Sequence, residues 1–331
     1  MAKSSNQKLK MIYLMDKFLR DTDEEHGITV NDMVDYLASH DIKAERKSLY
    51  DDVECLNTYG MDIIKEKVGR DTYYKLVSRD FELAELKLLV DSVQSSKFIT
   101  ANKTRELIKK LESLSSSHQA VELQRQVHVI NRVKNPNEKI YLTVDMLHEA
   151  IHNQVQVQFQ YAAWNLRKEL VPKHDGKTYS VSPWALTWDD ENYYLIGYDE
   201  DDEKIKHFRV DKFLKLSITD KERHGKELFN KFDLASYSKK TFGMFGGVEQ
   251  SVKLKADNDK VGVMIDRFGS DIMIIPDKDG KHFTVNVDVA ISDQFIGWLV
   301  GLGSGVQVVY PQDVRDKVKE NLQKIMDLYD N

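Results

Sequence analysis

His148, Glu149 and His152, in the stretch LHEAIH, have the spacing with which zinc hydrolases hold their metal. Residues four apart share a helix face, so both imidazoles could grip one zinc while the glutamate activates its water. A second set of residues suits different chemistry. Arg46, Lys47, Ser48 and Tyr50 open a helical stretch just after Lys43, and Lys65, Lys67 and Arg70 surround Gly69. An Arg can pair with guanine through two hydrogen bonds, while Lys, Ser and Tyr more often hold phosphates. A third set lies in KHFRVDK. As a strand it puts Phe208 and Val210 on one face and His207, Arg209 and Asp211 on the other. Tyr194, pointing opposite to Tyr193 and Leu195, would add an aromatic ring to such a surface, which suits an anionic ligand with a stackable base. On spacing alone, half-buried packing for Tyr194 and a solvated Arg209 are the alternative.

The zinc motif has a poor framework. Its helix runs from about Thr143 to Asn153, and a strand begins at Val155. Zinc proteases draw a third ligand from a longer helical framework, whereas Glu169 falls in a strand-connecting segment. Met146, Leu147, Ala150 and Ile151 read as the apolar contacts of a helix capping a small barrel, which leaves both histidines at the surface. A zinc-dependent hydrolase is kept only as an alternative, and the chain is read as non-enzymatic, without metal or cofactor.

The cations have a better one. NQKLKMIYLMDKFL puts Leu9, Ile12, Tyr13, Met15 and Leu19 near one helical stripe. GITVNDMVDYLASH opens with Thr29 as N-cap and Asp32 three residues on, with Met33, Val34 and Leu37 inward. AERKSLYDDVECLNTYG is a third helix ending at Gly60, with Leu49, Val53 and Leu56 as its apolar positions and Cys55 read as a small core residue. MDIIKEKVGRDTYYKLV gives two short strands around Gly69. Helix, helix, turn, helix, hairpin is the order of a winged helix-turn-helix, whose recognition helix offers its first residues to the major groove. A solvated helix face carrying two cations is the alternative on spacing alone. Asp52 is assigned a structural pairing with a basic neighbour, because an acid facing phosphate would repel it.

From SRDFELAELKLLVDSVQSS to about residue 132 the pattern is helical, with Ser-rich breaks near Ser95 and Ser115. VQVQFQYAAW then alternates apolar and polar residues, and TYSVSPWALTW, NYYLIGYD, KIKHFRV and FLKLSIT follow as strands. Trp164, Trp184 and Trp188 read as core or rim packing. The last segment gives strand, helix, strand, strand, helix, strand and a final helix, and GLGSG between helix and strand is a tight turn rather than a phosphate loop. The expected architecture is a multidomain α+β chain. It has a winged helix-turn-helix over 1–80, a helical connector over 81–135 and a small Sm-like or SH3-like β-barrel over 136–222. A linker over 223–248 then leads to a ferredoxin-like βαββαβ domain over 249–331.

Composition narrows the function classes. At 331 residues, two or three domains are expected, and 41% hydrophobic content argues against wholesale disorder. No apolar run approaches the roughly 20 residues needed to span a bilayer, and the amino-terminal stretch is neither a signal-peptide core nor an anchor. A single cysteine excludes an intramolecular disulfide and suits a reducing cytoplasm. The net charge of -6 gives no global pull toward nucleic acid, so any such contact must rest on a local patch.

Four segments, in order along the chain, carry a family resemblance. ERKSLYDDVECLNTYG resembles a recognition helix, and in SPWALTWDDENYYLIGYD Tyr193, Tyr194 and Leu195 stand where Trp-Tyr-Leu usually stands. KHFRVDKF resembles a basic strand, and DRFG with QFIGWLVGLGSGVQVVYP resembles a carboxy-terminal extension. The chain thus resembles the bacterial WYL-domain transcriptional regulators with a WCX extension. The resemblance implies a homodimeric, DNA-binding regulator of double-stranded operators, with Lys43, Arg46, Lys47, Ser48, Tyr50, Lys65, Lys67 and Arg70 toward DNA. It implies that the barrel senses a nucleotide or single-stranded nucleic acid through Tyr194, His207, Arg209, Lys212 and Ser182. Lys212 stands where an Arg is common, losing a two-pronged contact, and Tyr179 stands where many members carry another Arg. A nucleic-acid-binding accessory protein of a defence or repair system is the remaining alternative.

Overall fold

The computed structural model describes residues 7–124, 134–231, 240–244 and 246–330. The chain divides into two compact units, Met1–Tyr141 and Leu142–Asn331. The first opens with α1 (Lys10–Asp21), α2 (Val30–Ala38) and α3 (Arg46–Tyr59), followed by the antiparallel pair β1 (Ile63–Val68) and β2 (Asp71–Leu76). Helix α2 starts at a capping box, in which Thr29 accepts from the Asp32 amide and Asp32 accepts from the Thr29 amide. Two helix-end amides are satisfied there at once. Helix α3 ends at Gly60, whose φ of 116° is one that a side chain would strain.

Leu49, Val53 and Leu56 of α3 pack with Leu14, Phe18, Met33 and Leu37 in one buried cluster, floored by Ile63, Tyr74 and Leu76 of the hairpin. Two expectations fail here. Helix α1 buries Leu14 and Phe18 completely and leaves Ile12 and Leu19 at the surface, where Leu9 just before it also lies. At about 100° per residue, Leu14, Phe18, Met11, Met15, Leu19 and Ile12 follow one another across a single broad side of that helix, and the expected stripe runs along its outer edge rather than through Leu14 and Phe18. Cys55 is exposed rather than core. It lies two residues past Val53, about 200° around the helix from that buried side chain.

The unit continues with α4 (Leu83–Ser95), α5 (Ala101–Glu112) and α6 (Ser117–Gln124). Leu86, Val90 and Leu123 form a small buried cluster there. The expected helical pattern over 125–133 lies outside the described residues, as does part of the 223–248 linker.

Helix α7 (Ile140–Asn153) begins earlier than its sequence suggests and buries Leu147 and Ala150 fully. After it come β3 (Val155–Trp164), β4 (Leu170–Pro172), β5 (Thr178–Asp189), β6 (Asn192–Asp199), β7 (Lys204–Arg209) and β8 (Phe213–Glu222). Their order is β4-β3-β5-β6-β7, with β8 also on β3. The expected barrel is not closed, because no pairing joins β7 to β8 among the described residues. A 3-10 turn at Val210–Lys212 carries the chain out of β7, and β8 pairs with β3 through two register shifts. One face of this sheet holds aromatic packing, with Phe159 stacked on Phe213 at 3.9 Å and Phe208 edge-on at 5.3 Å.

Helix α8 (Lys226–Asn230) precedes the last sheet. Its elements are β9 (Val248–Asp257), α9 (Val261–Phe268), β10 (Ile274–Pro276), β11 (His282–Ile291), α10 (Asp293–Gly301), β12 (Val306–Tyr310) and α11 (Gln312–Asp327). The sheet order is β10-β11-β9-β12, antiparallel throughout. Val252, Leu254, Val287 and Val289 meet Phe295 and Leu299 of α10 in its core. GLGSG forms a short turn between α10 and β12.

Candidate functional site

Lys43, Arg46, Lys47 and Tyr50 are exposed at and just before the first turns of α3. Arg46 donates to Asn31 Oδ1 of α2 at 2.5 Å, which ties its guanidinium to the neighbouring helix. Asn31 was not singled out by sequence, because the contact depends on how α2 crosses α3. Ser48 behaves differently. Its hydroxyl accepts from Lys10 Nζ at 2.9 Å and donates to the Glu45 carbonyl at 3.1 Å. Lys10 also pairs with Asp52, so Ser48 and Asp52 belong to a tie between α1 and α3. Lys65, Lys67 and Arg70 are exposed on the hairpin. The Lys65 ammonium lies 5.8 Å over the Tyr74 ring. Burial, then the nearby Tyr50, raises the Tyr74 hydroxyl above its usual range, so the hairpin and α3 approach each other at this ring.

In the second unit, strand register aligns Thr187 of β5, Tyr194 of β6 and Arg209 of β7 in one row, with His207 opposite Ile196 in the next. The expected alternation holds, but the expected open surface does not. Tyr194 is only 5% exposed and is buried with Ile196 and Met244, with Phe229 of α8 packed against them. That burial pushes its hydroxyl up to about 12. Burial also lowers the His207 pKa, against a hydrogen bond to the Met244 backbone that raises it.

Arg209 remains partly accessible but is held. Its Nε and Nη2 donate to the two Asp211 oxygens at 3.0 and 2.9 Å, and Nη2 donates to Asn192 Oδ1 at 2.9 Å. Burial works against its charge, and the two-pronged Asp211 pairing outweighs it and raises the pKa. Lys212 lies 3.4 Å from Asp211 and 5.1 Å over the Trp164 ring. Ser182 is fully buried; its hydroxyl donates to Glu200 and accepts from the His224 amide, which removes it from any open ligand face. Tyr179 packs among the aromatics of this sheet, 5.8 Å from Phe159.

His148 and His152 are both exposed on α7. Among the described residues, the one group of three metal-ligating side chains with converging atoms is Asp277, Asp279 and His282. Lys255 already pairs with both of those aspartates, at 2.6 and 3.6 Å.

Comparison with known proteins adds two domain matches. Residues 142–218 match the WYL domain and residues 249–326 match the WCX domain. The proteasome accessory factor B/C (PafBC) of Arthrobacter aurescens is similar in structure, with 17% identity and a TM-score of 0.27 over 99% of this chain and 48% of that one. The chain therefore spans about half the length of that protein. A CRISPR Cas-related protein matches at 12% identity and a TM-score of 0.38, over 75% of this chain and 71% of its own. No curated protein matches the sequence.

Proposed function

Because the chain belongs to the family of WYL-domain proteins, we propose that it is a DNA-binding transcriptional regulator, acting as a cytoplasmic homodimer. In this reading α1–α3 with the β1–β2 hairpin form a winged helix-turn-helix. The 142–218 sheet is a small Sm-like fold that senses a nucleotide or single-stranded nucleic acid, and the last sheet is a ferredoxin-like unit. The protein performs no catalysis of its own.

The observation that carries the reading is the exposed set on α3 and the hairpin. Lys43, Arg46, Lys47 and Tyr50 are exposed in the same small unit as Lys65, Lys67 and Arg70, while Leu49, Val53 and Leu56 anchor the helix behind them. A helix that presents two cations and a tyrosine from its first turns has the side chains for phosphate contact and for guanine readout. The overall charge of -6 makes the contact local, so its dependence on salt is modest. Arg209 and Lys212 supply cations for an anionic effector, the buried Tyr194 ring adds a stacking surface only when uncovered, and a ligand there regulates only by favouring one of two arrangements.

Selection of bound duplexes from a randomised library tests the reading. The full chain should enrich related half-sites in two-fold arrangement. Recovery of the unselected base distribution, at the retention of an unrelated acidic protein, would contradict it.

A further inference from the structure

The face that should meet a ligand is occupied by the chain itself. The stretch from Lys240 to Met244 lies between the two sheets of the second unit, and Lys240 pairs with Glu249 of β9 at 2.7 Å. Two residues within it face opposite ways. Phe242 lies in the buried cluster of the last sheet, 5.2 Å from both Phe295 and Trp298. Met244 is buried against Tyr194 and Ile196 of the other sheet. Arg267 of α9 clamps the segment, donating to the Thr241 carbonyl at 2.5 Å with its guanidinium 4.0 Å over the Phe242 ring.

The seat is imperfect in two ways. Gly243 and Met244 both take positive φ, at 57°, and for methionine that conformation is strained and persists only because its surroundings hold it. At the polar end of the same face, Asp189 Oδ2 is buried without a hydrogen-bond partner among the described residues. Burial raises the Asp189 pKa, against attraction from Arg267. The segment thus satisfies the apolar end, through a flexible thioether suited to irregular gaps, and leaves the polar end unsatisfied.

We propose that the Thr241–Met244 stretch is a displaceable internal cover, with Met244 standing where a ligand's flat apolar part would lie against Tyr194. A ligand that enters must lift Met244. Because Phe242 is anchored two residues away and Arg267 grips Thr241, lifting it pulls on the core of the WCX domain. Sensing and transmission then pass through one short turn. That a ligand enters at this face, and its nucleic-acid character, rest on the proposed function; the burial of Tyr194 by Met244 does not.

The test uses the full chain carrying Arg46→Ala and Lys47→Ala, so that the α3 contact is weakened. In this background Met244→Gly removes the side chain and relieves the positive φ, and Met244→Leu keeps an apolar occupant. Acetylation of Tyr194, followed by peptide mass spectrometry, reads the cover without any ligand. Tyr194 should be protected in the parent and in Met244→Leu, and acetylated at least about fivefold faster in Met244→Gly. Labelled oligothymidylate, followed by anisotropy, should bind Met244→Gly at least about threefold more tightly than the parent, because the competent state no longer has to be uncovered. Equal protection of Tyr194 in a folded Met244→Gly protein overturns the cover. Fast acetylation with no gain in oligothymidylate binding upholds the cover and overturns the nucleic-acid reading of the ligand.

Discussion

Two acids in the first unit show how a single side chain carries structure here. Asp52 pairs with Lys10, whose side chain is 9% exposed and otherwise reaches Ser48. Removing the acid leaves a mostly buried ammonium with one neutral partner. Asp52→Ala is therefore expected to cost about 2 kcal/mol in urea unfolding, while Asp51→Ala, at an exposed position, stays within about 0.5 kcal/mol. Asp23 is a second case. Burial opposes its ionisation, but hydrogen bonds from Ser116, from the His26 ring and from the His26 and Glu25 amides outweigh that, so its pKa lies below the usual carboxylate range. A carboxylate depressed in the folded state stabilises above its unfolded value, near pH 4, and that contribution is lost as pH falls through the folded value. The acid limb of the stability curve should flatten in Asp23→Asn, with the stability of this unit near neutral pH also reduced. An unchanged acid limb would show that Asp23 is not the group being titrated.

Local elements follow rules that can be read before any coordinates, and contacts between distant segments do not. Thr29 and Asp32 announce their capping box by type and spacing, and Thr29→Ala should lower the melting temperature through a loss of about 1 kcal/mol. The Leu49, Val53, Leu56 spacing finds the buried face of α3 because that helix is polar elsewhere. In α1 the apolar side is broad, reaching from Leu14 to Ile12, so its pattern marks the side but not which of its edges packing buries, and Leu14 and Phe18 are the ones taken in. The alternation in β6 and β7 correctly put Tyr194 and Arg209 on a shared face. It could not show that Met244, about fifty residues further on, would lie on that face. Nor could it show that Asp211 would chelate Arg209, because a strand was expected where the chain makes a 3-10 turn. Pattern speaks to which way a side chain points, and only topology says what lies opposite.

For the molecule as a whole, the proposed homodimer needs a surface, and α11 offers one. Ile325 and Met326 are 41% and 57% exposed near its end, beside Leu328 and Tyr329 at 75% and 84%. Apolar side chains gathered in that way are more often covered by a partner than left in water. Ile325→Asp with Met326→Asp should leave the circular dichroism unchanged and shift sedimentation from dimer to monomer. A double variant that still sediments as the dimer moves the interface elsewhere. Dimerisation matters because α3 and the hairpin of one copy present only a small local set of cations and the overall charge is -6. Two copies bound to a two-fold site would double the phosphate contacts without making the protein basic. Gel retardation of a selected duplex by the wild-type chain and by Arg46→Ala/Lys47→Ala, repeated across salt concentrations, bears most directly on this account. The prediction is a loss of at least about tenfold in affinity, with a shallower salt dependence and unchanged melting. Equal retardation at every salt concentration would contradict it.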